Sequence, residues 1–138
     1  MKQMLYGYDD QVAAWTANKF NVHPGKYEMA VGIIDGNSIV GSVIWNAWRG
    51  HDIEISYYGP NTMTLGIARE CAKIAIDHFG VSRVTARTIK SNKAMTRKVG
   101  KVGFKYEGIV HARYGAEDGV LYGLYGENLA RLAGKELH

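Results

Sequence analysis

The chain has 138 residues, 46% of them hydrophobic and 22% charged, so we expect one folded domain spanning residues 1–138. Its 17 glycines accompany only 2 prolines and no Gly-X-Y period, which excludes collagen and argues against a disordered linker. The net charge of +4 conceals a basic segment, residues 83–113, with nine Lys and Arg against one acid. That segment indicates either an anionic partner or a solvated basic face.

The cysteine and hydropathy patterns bear on the compartment. A single cysteine, Cys71, rules out an intrachain disulfide and favours a reducing environment. The first eight residues do not resemble a signal peptide, and no apolar run approaches the ~20 residues of a membrane span. We therefore expect a cytoplasmic protein with no membrane partner. The five histidines show no metal-ligand spacing, so no metal site is expected.

The first half of the chain predicts one helix and three strands. The sequence Asp35-Gly36-Asn37 is a hairpin signal, and the alternation of apolar and polar residues over 52–58 is typical of a strand. The predicted elements are a helix from its cap at Asp9 or Asp10 to Phe20, and strands at 27–34, 38–48 and 52–58.

The second half alternates helices with strands. A narrow polar stripe on the helix 65–79 indicates burial against a sheet; Asn61, Thr62 or Thr64 can cap it, and Gly80 ends it. The predicted elements are helix 65–79, strand 82–89, helix 92–102, strands 104–114 and 120–125 joined around 116–119, and helix 127–132. This order predicts one α/β domain with a mixed sheet.

The helix 92–102 is basic on one face. Lys93, Arg97 and Lys101 lie four residues apart, and like charges at that spacing destabilise a helix by a few tenths of a kcal/mol per pair. Gly100 costs the same helix about 1 kcal/mol more. Its formation therefore indicates either strong packing, by residues such as Val99, or a bound anion.

Residues 91–108 read SNKAMTRKVGKVGFKYEG and resemble the late motif of the GCN5-related N-acetyltransferase (GNAT) family. The shared features are Asn92, Arg97 five residues later, Gly103-Phe104 and Glu107-Gly108. Residues 81–84 and 118–124 also match. More narrowly, the segment resembles the branch of ribosomal-protein N-terminal acetyltransferases, and short phage and prophage proteins are similar.

The resemblance implies a mostly antiparallel sheet with flanking helices, whose central parallel strands at 52–58 and 82–89 splay apart to receive the pantetheine of acetyl-CoA. The loop 60–64 and the start of the following helix would take the pyrophosphate. Acetyl-CoA is implied as a co-substrate, with no metal. The implied coenzyme A contacts are Tyr57, Tyr58, Met63, Thr64, Gly66, Asn92 and Arg97.

The resemblance also implies catalytic roles. Glu54 lies mid-strand where relatives often place a carboxylate, and as a general base it would deprotonate an amine directly or through water. Alternation puts Ser56 on the same side, where it would line the substrate cleft. Tyr122 would protonate the leaving thiolate. The competing interpretations are an exposed strand residue for Glu54 and a core tyrosine for Tyr122.

Three functions follow, in this order. The first is direct acetyl transfer to a primary amine on a protein, peptide or small molecule. The second is phage-type adenine modification in nucleic acid, which is less favoured because no basic cluster lies apart from the expected cofactor site. The third is a binding or assembly module, suggested by Met63 and Val99 where the family usually has functional side chains. A homodimer is compatible with the fold, although no pattern locates an interface.

Overall fold

The computed structural model describes residues 1–135, and its elements follow the predicted order with one extra strand at the start. In chain order the elements are β1 (Lys2–Leu5), α1 (Asp9–Phe20), β2 (Met29–Asp35), β3 (Ser38–Asn46), β4 (Asp52–Tyr58), α2 (Leu65–Asp77), β5 (Arg83–Ile89), α3 (Lys93–Lys101), β6 (Lys105–Tyr114), β7 (Glu117–Tyr125) and α4 (Gly126–Leu132). Within this described range, no helix combines the length and apolar character needed to cross a membrane.

The strands form one sheet in the order β1-β2-β3-β4-β5-β7-β6. The pair β4–β5 is parallel, and the other neighbouring pairs are antiparallel. The parallel pair arises because α2 carries the chain back along the sheet between the two strands, the crossover that parallel pairing requires. This mixed, mostly antiparallel α/β architecture confirms the predicted fold class.

The two faces of the sheet are covered differently. On one face, α2 and α4 pack into the main core, where Trp45, Ile53 and Leu124 are almost fully buried. On the opposite face, α1 packs on β2 and β3, and its Val12 lies in a smaller cluster with Ile44. The face that carries α1, called the α1 face below, is the one on which β4 and β5 present polar side chains.

Strand β1 was not predicted. It pairs antiparallel with β2, from Lys2 opposite Asp35 to Leu5 opposite Gly32. Four residues give too short a pattern to separate a strand from an extended tail, and the pairing partner supplies the stabilisation that the local sequence does not.

The last hairpin turns earlier than the predicted 116–119. Strand β7 begins at Glu117, so the turn is Gly115-Ala116, with Gly115 at φ +74°. Gly119 lies within β7 instead. A Cβ at Gly119 would come within 3.1 Å of Arg113 Cβ, so this glycine makes room for a β6 side chain.

The sequence predicts that Asp9 or Asp10 caps the first helix, but neither of them does. The N-cap of α1 is Tyr8, with no side-chain cap bond. Asp9 Oδ2 instead accepts from Ala30 N of β2 at 2.9 Å, and Asp10 accepts from the Tyr27 hydroxyl. The cap prediction is wrong because Asp9 ties α1 to β2, and Asp10 binds Tyr27 just before that strand.

The predicted start of α2 at Leu65 is confirmed, whereas the helix ends at Asp77, with His78 as its C-cap, two residues before the predicted end. Thr64 is the cap of α2, since its Oγ1 accepts from Ile67 N at 3.1 Å. Gly80 adopts φ +66° where the chain leaves α2. Asn92 caps α3, accepting from Met95 N at 3.1 Å.

An ion pair braces β5 to β6 across β7. Arg83 Nη1 donates to Glu107 Oε2 at 2.8 Å, and Nη2 donates to the other carboxylate oxygen. Gly123 of β7 lies beneath, and a Cβ there would come within 2.6 Å of Glu107 Oε2 and 2.7 Å of Arg83 Nη1. The hydrogen bond from Arg83 lowers the pKa of Glu107 below its usual range. The brace therefore depends on both charges and on a glycine.

Candidate active site

The two central strands separate halfway along their length. Strands β4 and β5 are paired as far as Ile55 opposite Ala86, and their register ends there. Beyond that point residues 56–58 still pair with β3, and residues 87–89 still pair with β7. Each strand thus stays ordered on its outer side while a cleft opens between them, which confirms the predicted splay.

The loop after β4 leads into the N-terminus of α2. The first backbone hydrogen bond of the helix runs from Ala68 N to Thr64 O at 2.9 Å, and the Thr64 hydroxyl accepts a hydrogen bond from Ile67 N. The amides of Leu65 and Gly66 precede these bonds, and first-turn amides point out of the helix end. Together with the helix dipole, such amides form a favourable place for an anion.

Tyr57 fixes the shape of this loop. Its hydroxyl donates to the Gly59 carbonyl at 2.5 Å and accepts from Thr62 N at 3.0 Å. The Thr62 hydroxyl lies 2.8 Å from the same carbonyl. A Cβ on Gly41 of β3 would come within 2.6 Å of Tyr58 O, so the end of β4 packs tightly against β3. Tyr57 is predicted as a cofactor contact, but its hydroxyl is hydrogen-bonded within the loop. The sequence did not indicate that Thr62 also stabilises this loop.

Three other predicted cofactor contacts lie in separate places. Met63 is partly buried against the main core. Asn92 uses its side-chain oxygen in the α3 cap. Arg97 is exposed, on the helix face that also carries Lys93 and Lys101.

Glu54 forms an ion pair across the splay. Alternation puts Glu54, Ser56 and Tyr58 on the α1 face, and Tyr58 packs against the α1 cluster. Glu54 Oε1 accepts from Arg87 Nη2 of β5 at 2.8 Å. Their side chains are 15% and 30% exposed. The sequence indicated Glu54 but not Arg87, because no local pattern joins two residues 33 positions apart.

The tip of the β6–β7 hairpin reaches the same face. Burial raises the pKa of Tyr114. The charges of Arg113 and Arg87 lower this pKa, and the charge of Glu54 raises it. Burial likewise raises the pKa of Tyr58, and the electrostatic interaction with Tyr114 raises it further. The hairpin tip shares the α1 face with the ion pair and Tyr58, since Arg113 lies over Gly119, which is opposite Ile89 of β5.

Tyr122 lies on the other face of the sheet. It is 4% exposed and clusters with Ala86 and Val99 on the side of α3. Its ring meets Tyr106 edge-on, with centroids 6.3 Å apart. The fold does not bring Tyr122 together with Glu54, and its role as a proton donor stays a prediction.

A basic cavity of about 220 Å³ lies between α2, α3 and α4. Arg69, Lys101 and Arg131 contribute its positive charge, and Leu65, at the start of α2, lines it as well. In the sequence, Arg69 belongs to a polar stripe and Lys101 to a basic face. Only the fold brings them together with Arg131, so the cavity could not be predicted.

Histidine, cysteine and carboxylate side chains are the residues that bind metal ions in proteins. Within residues 1–135, no group of three His, Cys, Asp or Glu side chains could hold a metal ion, and the fifth histidine, His138, lies outside that range. Cys71 is buried in the main core, as predicted, and burial raises the pKa of its thiol to about 12.

This chain is similar to one protein-family model and to several solved structures. A family model described as the acetyltransferase (GNAT) domain matches residues 6–105. A GCN5-related N-acetyltransferase from Brucella melitensis is 20% identical, with a TM-score of 0.62 over 77% of this chain and 54% of that one. The Salmonella typhimurium protein yncA, proposed as an acetyltransferase and solved with its cofactor acetyl-CoA, is 15% identical, with a TM-score of 0.63 over 90% and 93%.

A third structure, of a protein proposed as a phosphinothricin N-acetyltransferase, is 16% identical, with a TM-score of 0.68 over 89% of this chain and 97% of that one. Several other matched structures are longer, and the chain spans 60% to 63% of their length. A search of curated proteins found no match.

The splayed sheet with a helix N-terminus after the first splayed strand defines the class of GNAT-type acyltransferase folds. Since the family model matches most of the chain, the protein belongs to the GNAT acetyltransferase family.

Proposed function

We propose that this chain is an acetyl-CoA-dependent N-acetyltransferase that moves the acetyl group directly to a primary amine. The observation that carries the proposal is the cleft between β4 and β5, which opens after Ile55 and Ala86. Family membership supports acetyl transfer in general. The acetyl-CoA held by the Salmonella structure supports the choice of co-substrate.

The residues around the cleft suit acetyl-CoA. The cleft would take pantetheine, and the amides of Leu65 and Gly66 would take the pyrophosphate. The cavity with Arg69, Lys101 and Arg131 offers positive charge for a further anionic group of the cofactor. When bound, acetyl-CoA supplies a thioester carbonyl as the electrophile.

Glu54 is the proposed general base. Its carboxylate would take one proton from the acceptor ammonium, freeing the amine nitrogen to attack the thioester carbon. The C–N bond forms as the C–S bond breaks, and the thiolate takes up the second proton that the nitrogen releases. Ser56 would line the acceptor side. Tyr122 is the predicted relay for that second proton, giving its hydroxyl proton to the thiolate and recovering one from the nitrogen.

Calorimetric titration with acetyl-CoA tests the proposal. We expect binding by the wild type and a loss of about tenfold in affinity for Arg69→Gln, because one charged contact is removed. Arg49→Gln is the matched control, since Arg49 is 67% exposed and pairs with Asp52 at 3.8 Å, apart from the cavity. Absence of binding at millimolar acetyl-CoA would refute the proposal.

The finer features stay predictions. The Asn92–Gly108 pattern supports the branch of ribosomal-protein N-terminal acetyltransferases and the similarity to phage proteins, and the single buried cysteine supports action in the cytoplasm. A screen of proteins, peptides and small amines, followed by sedimentation, addresses the acceptor and the homodimer. DNA affinity that survives saturating coenzyme A would favour the nucleic-acid alternative.

A further inference from the structure

The charged side chains on the α1 face are arranged in ion pairs. Arg49 and Arg83 are matched by two carboxylates, those of Asp52 and Glu107. Among the described residues, Glu54 and Arg87 are paired with each other. A group that displaces Arg87 from Glu54 therefore leaves the guanidinium without a counter-ion.

The ion pair lies where the acceptor must approach. Glu54 comes just before Ile55, the last β4 residue paired with β5, and Arg87 comes just after Ala86, the last β5 residue paired with β4. Their ion pair thus crosses the point where the cleft begins. Arg113 lies over Gly119, which is opposite Ile89, two residues beyond Arg87 on the same face of β5. The Arg113 guanidinium is 5.7 Å from the Tyr114 ring centroid.

The ion pair leaves hydrogen-bonding groups unused. Arg87 Nε and Asn46 Oδ1 are both buried and have no hydrogen-bond partner among the described residues. Asn46 lies opposite Glu54 in the β3–β4 register, and Arg87 is the ion-pair partner of Glu54, so both residues are neighbours of Glu54. Buried polar atoms without partners are uncommon in folded proteins, which indicates that another arrangement of this side-chain cluster satisfies them.

We propose that the acceptor is zwitterionic, with a carboxylate in the same small molecule as its amine, and that Arg87 determines this specificity. The inference rests on the proposed N-acetyltransferase function. The acceptor ammonium replaces Arg87 at Glu54, and the released guanidinium turns to the acceptor carboxylate, with Arg113 nearby. An acceptor with an ammonium group alone would leave Arg87 partly buried without a counter-ion, which is unfavourable.

Paired acceptors provide the first test. A panel of L-amino acids is compared with the corresponding carboxamides and decarboxylated amines, at equal concentrations of unprotonated amine. We expect wild-type kcat/KM to be at least about tenfold higher for the acids, as a charge-assisted hydrogen bond to guanidinium predicts. Equal use of acids and carboxamides would overturn the inference.

Variants assign the preference to Arg87. Arg87→Gln should abolish the preference for acids, whereas the matched control Arg49→Gln should retain it. Arg113→Gln, a change of an exposed side chain at the hairpin tip, should weaken the preference and guards against misfolding of the Arg87 variant. A preference that survives unchanged in both Arg87→Gln and Arg113→Gln would overturn the assignment.

Binding separates this inference from the proposed function. Thermal shift is measured with coenzyme A present, for each amino acid and its carboxamide, so no turnover is required. Stabilisation by the acids that is lost in Arg87→Gln supports the inference even without acetyl transfer, and absence of that stabilisation counts against it. Loss of acetyl-CoA binding, or of transfer to every amine, would refute the proposed function instead.

Discussion

Glu54 and Arg87 illustrate how one strand residue acquires a chemical environment from its neighbours. Alternation along β4 puts Glu54 on the α1 face, away from the core that holds Ile53 and Ile55. Arg87 then places a guanidinium 2.8 Å from its carboxylate. An acceptor amine that binds Glu54 has to compete with Arg87. The same two side chains would therefore position the amine and select the acceptor.

Replacing the proposed base tests catalysis at the residue scale. Glu54→Gln keeps the shape of the side chain and removes its ability to accept a proton. We expect kcat to fall by about 100-fold or more, the usual contribution of a general base, while acetyl-CoA affinity stays the same. Steady-state kinetics and calorimetry on the same preparation measure both quantities.

The matched control is Glu117→Gln, which changes a carboxylate that bonds Ser91 in the hairpin region and should leave turnover unaltered. Wild-type kcat in Glu54→Gln would remove Glu54 from the mechanism. Acetyl-CoA binding with no transfer to any amine, in the wild type as well, would favour the binding-module alternative.

At the scale of elements, the loop after β4 is shaped by contacts rather than by its own sequence. The Tyr57 hydroxyl bonds the Gly59 carbonyl and the Thr62 amide, and Gly41 lets β3 approach the chain closely. The start of α2 therefore has a fixed position before any ligand arrives, which reduces the ordering cost of binding.

Two glycine substitutions of opposite expected sign test this tight packing. Gly41→Ala would place a Cβ 2.6 Å from the Tyr58 carbonyl, and we expect a loss of about 1–3 kcal/mol in the free energy of unfolding, the usual cost of overpacking. Gly100→Ala meets no atom within 4 Å and should stabilise α3 by about 0.5–1 kcal/mol. Urea denaturation measures both, and equal effects would contradict the packing argument.

The elements were predictable to different degrees for physical reasons. Alternation over 52–58 gave β4 with its observed bounds because one face of that strand packs against the main core. The same approach missed β1, whose order comes from β2, and misplaced the last turn, since Gly119 serves packing rather than chain reversal. Alternation within one strand could not predict the Glu54–Arg87 pair, because the two residues are brought together by the order of strands in the sheet.

At the scale of the whole molecule, the brace from Arg83 to Glu107 joins β5 to the edge strand β6 across β7. Because that hydrogen-bonded pair lowers the pKa of Glu107, the folded state binds the proton less readily than the unfolded state. Its stabilisation is complete above the unfolded pKa of about 4.3 and is lost as pH falls through the lower folded pKa.

Global unfolding measures that dependence. We expect Glu107→Gln to unfold more easily than the wild type at pH 7, by on the order of 1 kcal/mol for a partly exposed pair, and the difference to shrink as the pH is lowered towards 3. Denaturant titrations between pH 3 and pH 7 test the convergence. A difference that stays constant across this range would show that the brace acts through packing and not through charge.

The early end of the β4–β5 register has a consequence for the behaviour of the free protein. A sheet normally has unpaired backbone groups at its two outer strands, but here residues 56–58 and 87–89 expose such groups to the cleft in its middle as well. An extended segment of another chain can pair with exposed strand groups and begin aggregation. We therefore expect the protein to be more prone to self-association when empty than when a cofactor fills the cleft, so that its solubility depends on the supply of its ligand.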